Sequence, residues 1–187
     1  MWRSWGAIAL TGARTSMIAA GVAPASASER ALATLKQGGL NLSIIPESQA
    51  GDAISLKLLR SIFTKGLEAL TTECLAAAEH LGVRHALYDV LADIDRTPLH
   101  EFLEMLVRTH IVHAARRKKE VERAHQQMTS LGLDSLMLPA VQAVFTRTES
   151  RHTADPSGNS LDTEDALRLL IDICQQPTAH NRQTHVA

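Results

Sequence analysis

Gly51-Asp52-Ala53-Ile54-Ser55-Leu56-Lys57-Leu58-Leu59-Arg60-Ser61 opens a run that passes through Thr64-Lys65-Gly66-Leu67-Glu68 and meets no proline until Pro98. Within it Ile54, Leu58, Ile62, Leu67, Leu70, Cys74, Leu75 and Ala78 recur mostly three or four positions apart. That is the spacing one face of an α-helix imposes, and Gly82 is a natural stop. A helix from Ala53 to Leu81 spans roughly 43 Å at the α-helical rise, longer than a small domain is wide. It predicts a connector between domains or a spine around which shorter helices pack.

Composition agrees with a helical reading. The chain has 187 residues, 45% of them hydrophobic, but only 3% aromatic. That is enough apolar material for a core, built from aliphatic side chains rather than the β-branched and aromatic residues a sheet protein needs. The formal charge of −1 leaves no global field drawing the chain to nucleic acid or an anionic membrane. No stretch of 18 apolar residues occurs, so no transmembrane span is expected. Cys74 and Cys174 lie in apolar helical patterns with no CxxC, which reads as two buried, reduced thiols in a cytoplasmic protein.

Upstream, Met1 to Leu10 followed by Ala23-Pro24-Ala25 or Ala25-Ser26-Ala27 has the outline of a secretory leader, interrupted by Gly12 and Arg14. The competing reading places short strands at 7–10 and 16–19 and a helix over 29–37, capped by Ser28 and ended by Gly38-Gly39. A further strand is expected at 41–45, closed by Pro46. Downstream, helices are expected over 85–94, from Pro98 to about Met128 as one or two pieces, over 138–148 with Pro139 in the first turn, and over 163–174. Residues 149–160 read as a loop and 178–187 as a disordered tail. The organisation expected is an α/β remnant at 1–49, a helical domain at 50–177 and a tail at 178–187.

Lys57 is expected at the edge of the apolar stripe, with its ammonium partly desolvated and so suited to proton transfer, or else simply snorkelling. Ser61 lies one turn on and Lys65 one turn beyond. Farther along, His113, Arg116, Arg117 and Glu120 stand at i, i+3, i+4 and i+7, a spacing that lets all four face one cleft. There an arginine could clamp a carboxylate or phosphate while Glu120 orients it. The alternative is a solvated basic face laced by ion pairs. Aromatics are absent from this stretch, which argues against a nucleic-acid patch. The histidines supply no HExxH and no Cys/His cluster, so no metal site is expected.

The stretch from Gly51 to Gly66 resembles the start of the C-terminal helical domain of the 6-phosphogluconate dehydrogenase and 3-hydroxyisobutyrate dehydrogenase superfamily. It is especially similar to the branch bearing a "phosphogluconate dehydrogenase, NAD-binding, putative-like" C-terminal domain. Of the superfamily pattern G-x-G-x-x-x-K-x-x-N-N, Gly51 and Lys57 match, the second glycine is Ala53, and the asparagines are Arg60 and Ser61. His113-Ala114-Ala115-Arg116-Arg117-Lys118-Lys119-Glu120 resembles the H-A-A-R-R-x-x-E stretch of the same branch, with Lys119-Glu120 near the wider family's K-D pair. The resemblance covers about residues 28 to 150. It implies a mainly α, 6-phosphogluconate dehydrogenase C-terminal-like fold, with Lys57 as acid and base on a substrate hydroxyl. Ser61, His113, Arg116, Arg117 and Glu120 are then substrate-side residues, and Lys57 and Lys119 face the cofactor.

The implied cofactor is NAD or NADP, yet no G-x-G-x-x-G is present, so this chain alone is not expected to hold it tightly. Two readings follow. In one, the chain is the substrate-side helical domain of an NAD(P)-dependent oxidoreductase acting on a small hydroxy acid. It would be inactive alone and completed by a second copy as a homodimer or by a chain carrying the nucleotide-binding domain. In the other, it is a non-catalytic dimerisation or interaction module derived from such an enzyme.

Overall fold

The computed structural model describes residues 5–8, 16–151 and 161–176. Strands β1 (Trp5–Ile8), β2 (Ser16–Ala19) and β3 (Leu42–Ile44) are joined by seven helices among the described residues. These are α1 (Ala27–Gln37), α2 (Asp52–His80), α3 (Arg84–Val90), α4 (Ala92–Arg96), α5 (Leu99–Ser130), α6 (Met137–Arg151) and α7 (Thr163–Gln175). The chain is mainly α with one small sheet. It divides into two compact units, Met1–Ala69 and Leu70–Ala187, within α2. Positions 9 and 10 of the first expected strand, 152–160 of the expected loop and the tail 178–187 lie outside the described residues.

In the first unit β2 pairs antiparallel with β1, Trp5 opposite Ala19, and parallel with β3, Met17 opposite Leu42. The β2–α1–β3 connection is thus a short βαβ unit. Ala19, Leu32 and Leu42 form its core, with Met17 and Val22 packed against them. The cap of α1 is Ser26, not Ser28: Ser26 Oγ accepts from the Glu29 N–H at 3.2 Å, and the Glu29 carboxylate accepts from the Ala25 N–H at 2.5 Å. Ser26-x-x-Glu29 is a capping signature, and it moves the helix start upstream.

The loop from β3 to α2 positions the opening segment of the sequence. Ser48 Oγ accepts from the Gly21 N–H at 3.0 Å and donates to the Ile45 carbonyl at 2.7 Å, while Asp52 accepts from the Gln49 N–H at 2.7 Å. Gly21 has φ +68°, and a Cβ there would lie 2.8 Å from the Ala50 nitrogen. Only glycine lets the end of β2 approach the loop this closely. From Asp52 the helix runs unbroken for 29 residues. At its end the Val83 N–H reaches the Ala78 carbonyl at 2.9 Å and Gly82 adopts φ +71°, the left-handed stop expected of that glycine.

In the second unit the spine is α5, a single helix of 32 residues. Its most extensive packing is on α6, and α7 contacts both. The helix expected over 85–94 is broken at Leu91 into α3 and α4. Helix α6 continues to Arg151, so residues 149–151 are helical rather than loop. Among the described residues, seven of the eleven buried hydrophobics are alanine, so helices meet through small side chains and many large aliphatics stay outside. Cys74 and Cys174 are free but exposed, not buried. No helix of the described residues is long and apolar enough to cross a membrane.

Candidate functional site

Lys57 and Ser61 occupy the second and third turns of α2, in the first unit, and both are exposed. At 3.6 residues per turn, Lys57, Ser61, Thr64 and Glu68 share the polar side of the helix, away from Leu59, Ile62 and Gly66. Lys57 is therefore not on the edge of the apolar stripe, and the partial burial expected of its ammonium is absent. Its neighbour Lys65 is committed to Glu68, Nζ to Oε2 at 2.5 Å, both exposed.

The His113–Glu120 cluster lies on α5, in the second unit. Arg116 and Glu120 come together as an exposed i,i+4 ion pair. Arg117 turns the other way: its NH2 donates to Thr109 Oγ1, two turns back, at 2.8 Å. Burial, then the adjacent Arg116 charge, lower its pKa from the usual guanidinium value, and Glu120 opposes them. Lys118 pairs with Glu149 of α6. His113 is half-buried and Lys119 exposed. The two arginines thus diverge: Arg116 pairs with Glu120 at the surface, and Arg117 turns back along α5 to Thr109.

Three groups outside the expected set organise this region. His110 stacks on Phe145 with ring centroids 5.1 Å apart and 25° between planes, and its Nε2 lies 2.9 Å from Thr148 Oγ1. Thr148 donates its own hydroxyl hydrogen to the Val144 carbonyl at 3.2 Å, which leaves the oxygen free to accept an Nε2–H. Burial first, then the Arg117 and Arg147 charges, push the imidazole pKa down, so the ring is held neutral. Arg147 brings its NH2 to 3.5 Å from Cys174 Sγ and is the one buried side-chain polar group, at Nε, without a partner among the described residues. With Arg151 it lines an open hollow of about 440 Å³ along α6.

Glu73 is the third. Its carboxylate accepts from the Ser135 hydroxyl at 2.6 Å and from the Leu136 and Met137 N–H groups at 3.0 and 3.2 Å, while Ser135 Oγ accepts from the Leu138 N–H at 3.0 Å. A carboxylate from α2 and a buried serine therefore cap α6 together, where unpaired N–H groups and the helix dipole favour negative charge. The Ser135 bond, then the backbone bonds, outweigh burial and hold the Glu73 pKa below the usual carboxylate value. Ser135-x-x-Leu138-Pro139 carried a start signal in sequence, but nothing in it named a partner 62 residues away.

No group of three or more His, Cys, Asp or Glu able to hold a metal occurs among the described residues.

Residues 78–148 match the family described as a domain of unknown function, DUF1932. An uncharacterised 28.5 kDa protein encoded in the 7S RNA 5′ region of Methanothermus fervidus is 27% identical over 118 residues, 63% of this chain and 47% of that one. Among solved structures, the conserved protein MTH1747, of unknown function and described as structurally similar to 3-hydroxyacid dehydrogenases, is 27% identical. That match covers 79% of this chain and 56% of the other, at a TM-score of 0.38. A conserved hypothetical protein from Sinorhizobium meliloti 1021 is 25% identical over 84% of this chain and 52% of its own, at a TM-score of 0.35. The chain spans about half the length of these relatives. The family match falls within the helical portion of the second unit, from the end of α2 into α6.

Proposed function

We propose that this chain is the substrate-side helical part of a cytoplasmic NAD(P)-dependent oxidoreductase acting on a small hydroxy acid. The observation that carries the reading is Lys57: an exposed ammonium in the second turn of α2, with the Ser61 hydroxyl one turn on. It follows a βαβ unit whose loop is fastened by Gly21 and Ser48. In its neutral form Lys57 accepts the substrate hydroxyl proton, and Ser61 donates to or accepts from that oxygen. In the second unit, taken by itself, Arg116 oriented by Glu120 is a candidate clamp for an anionic group. A nicotinamide held by a nucleotide-binding fold would supply the hydride acceptor, and on this reading the chain turns over no hydroxy acid without it.

The test has two parts. Calorimetric titration of the folded chain with NADH and with NADPH gives no binding at micromolar concentration if the nucleotide is held elsewhere; tight binding refutes that assignment. In a complex with a chain bearing the nucleotide-binding fold, Lys57→Met abolishes turnover of the hydroxy acid and leaves assembly unchanged. Unchanged turnover refutes the role of Lys57. A second reading, a helical interaction module without catalysis, is favoured by one specific observation: Arg116, Arg117 and Lys118 are already engaged by Glu120, Thr109 and Glu149. On that reading no complex turns over a hydroxy acid.

A further inference from the structure

The hollow along α6 is walled by successive turns of one helix face, on which Gln142, Thr146, Arg147, Ser150 and Arg151 stand. Its volume of about 440 Å³ falls in the range of small-molecule sites. No carboxylate lines it among the described residues. Arg147 is the anomaly. Its guanidinium is always charged and half-buried, yet Nε is enclosed without a partner and NH2 reaches only the weakly accepting Cys174 Sγ, at 3.5 Å. Neighbouring cations are answered, Lys118 by Glu149 and Arg116 by Glu120. The Arg147 charge is felt across the helix contact, where, after burial and Arg117, it is the third cause that lowers the His110 pKa. A cation withdrawn from water without a counterion is costly, and no acidic group among the described residues offsets that cost.

We infer that the hollow along α6 binds a phosphate group at Arg147, either inorganic phosphate or the phosphate of a small organic ester. The guanidinium fork matches two oxygens of an oxyanion and supplies the charge. Thr146 and Ser150 line the hollow on either side of Arg147. Their hydroxyls donate to the helix's own Gln142 and Arg147 carbonyls at 2.8 and 3.0 Å, bonds that rotation of each hydroxyl exchanges for an oxygen in the hollow. A phosphate offers three strong acceptor oxygens to this fork and these hydroxyls, whereas a carboxylate offers two. Arg151 keeps its end of the wall in place, because its NH1 donates to the Ile173 and Gln176 carbonyls where α7 finishes. At the other end Pro139 and Ala143 give an apolar surface for the organic body of an ester. The site uses neither Lys57 and Ser61 nor the Arg116–Glu120 pair, so it stands or falls apart from the catalytic reading.

Heteronuclear magnetic resonance of the full chain tests it, with inorganic phosphate, glycerol 3-phosphate and acetate titrated at an ionic strength held constant by sodium chloride. Both phosphates are expected to give a saturable shift of the Arg147 Nε–H signal and of the Thr146 and Ser150 amides, at millimolar concentration or below. Arg147→Met weakens that binding about tenfold or more, since the fork and its charge are both lost. Arg147→Lys, which keeps the charge without the fork, weakens it less, and Arg123→Met, at an exposed position of α5, leaves it unchanged. Should Arg147→Met lose its dispersed amide spectrum, the parent titration and Arg147→Lys decide. Tighter binding of the ester assigns the Pro139 end to an organic body and equal binding assigns the site to inorganic phosphate; either upholds the inference. Shifts that never saturate, a saturable shift that Arg147→Met leaves intact, or acetate bound as tightly as phosphate overturns it.

Discussion

Replacing Thr148 by valine isolates its contact with His110 between α5 and α6. Thr148 is 1% exposed, and valine matches its shape, so packing is retained while the hydroxyl is lost. Two bonds go with it. The Val144 carbonyl loses only an extra donor, but His110 Nε2–H loses its acceptor at 2.9 Å. Leaving a buried donor unpaired costs about 1–3 kcal/mol. The His110 ring is half-buried, so about half of that, roughly 1 kcal/mol, is expected after partial rescue by water.

The assay is urea unfolding followed by far-ultraviolet circular dichroism, run on Thr148→Val, His110→Phe and the double variant. Phenylalanine at 110 keeps the stack on Phe145 and removes the donor, so in that background Thr148→Val is free or slightly stabilising, a coupling of about 1 kcal/mol. Acidity gives an independent reading. The folded His110 pKa is depressed by burial and by Arg117 and Arg147. The unfolded chain therefore takes a proton that the folded chain refuses, and stability present above about pH 6.5 is lost as pH falls toward the folded value. Uptake of one proton sets an upper limit of ~1.4 kcal/mol per pH unit on this slope. His110→Phe flattens this part of the curve. A cost for Thr148→Val that is the same in both backgrounds, or an acid slope untouched by His110→Phe, refutes the reasoning.

Gly21→Ala sets a Cβ 2.8 Å from the Ala50 nitrogen at φ +68°; it should destabilise the first unit by about 1–3 kcal/mol, read as loss of amide-exchange protection in β2 and β3. Leu32→Ala, in the core of the same unit, should cost about 2–4 kcal/mol in the same measurement. Glu73→Gln removes the negative charge at the start of α6. Because the folded Glu73 pKa is lowered, its contribution is present above the ordinary carboxylate pKa of 4.5 and fades as pH falls through the folded value. The variant should be less stable than the parent at neutral pH and converge with it in acid; a constant difference across pH would refute the cap.

Much of the architecture is carried by local signals. The spacing of Ile54, Leu58 and Ile62, the stop at Gly82, the break at Gly132 and the amphipathic run after Thr163 locate α2, α5, α6 and α7 to within a few residues, because helical periodicity and glycine conformation are properties of short segments. The Gly51 and Lys57 pair and the His113–Glu120 run likewise mark the family resemblance. Where two local signals compete, sequence reading picks the weaker one: Ser28 stands nearer the apolar run, but Ser26 has Glu29 three residues on, and the reciprocal bonds decide.

Side-chain commitments are different in kind. Whether Arg117 faces a cleft or turns back to Thr109, whether Cys74 and Cys174 lie on a packed face, and whether Lys57 borders apolar surface all depend on which side of a helix its neighbours occupy. Residues far apart in the chain set that. Glu73 capping α6 through Ser135 and His110 meeting Thr148 across 38 positions leave no pattern in either segment alone. The sequence by itself determined a mainly helical chain and its long second helix, since each follows from bonds made within a few turns. Only the tertiary structure decided which charges are spent on holding helices together and which stay available, because that depends on long-range packing that no local period encodes.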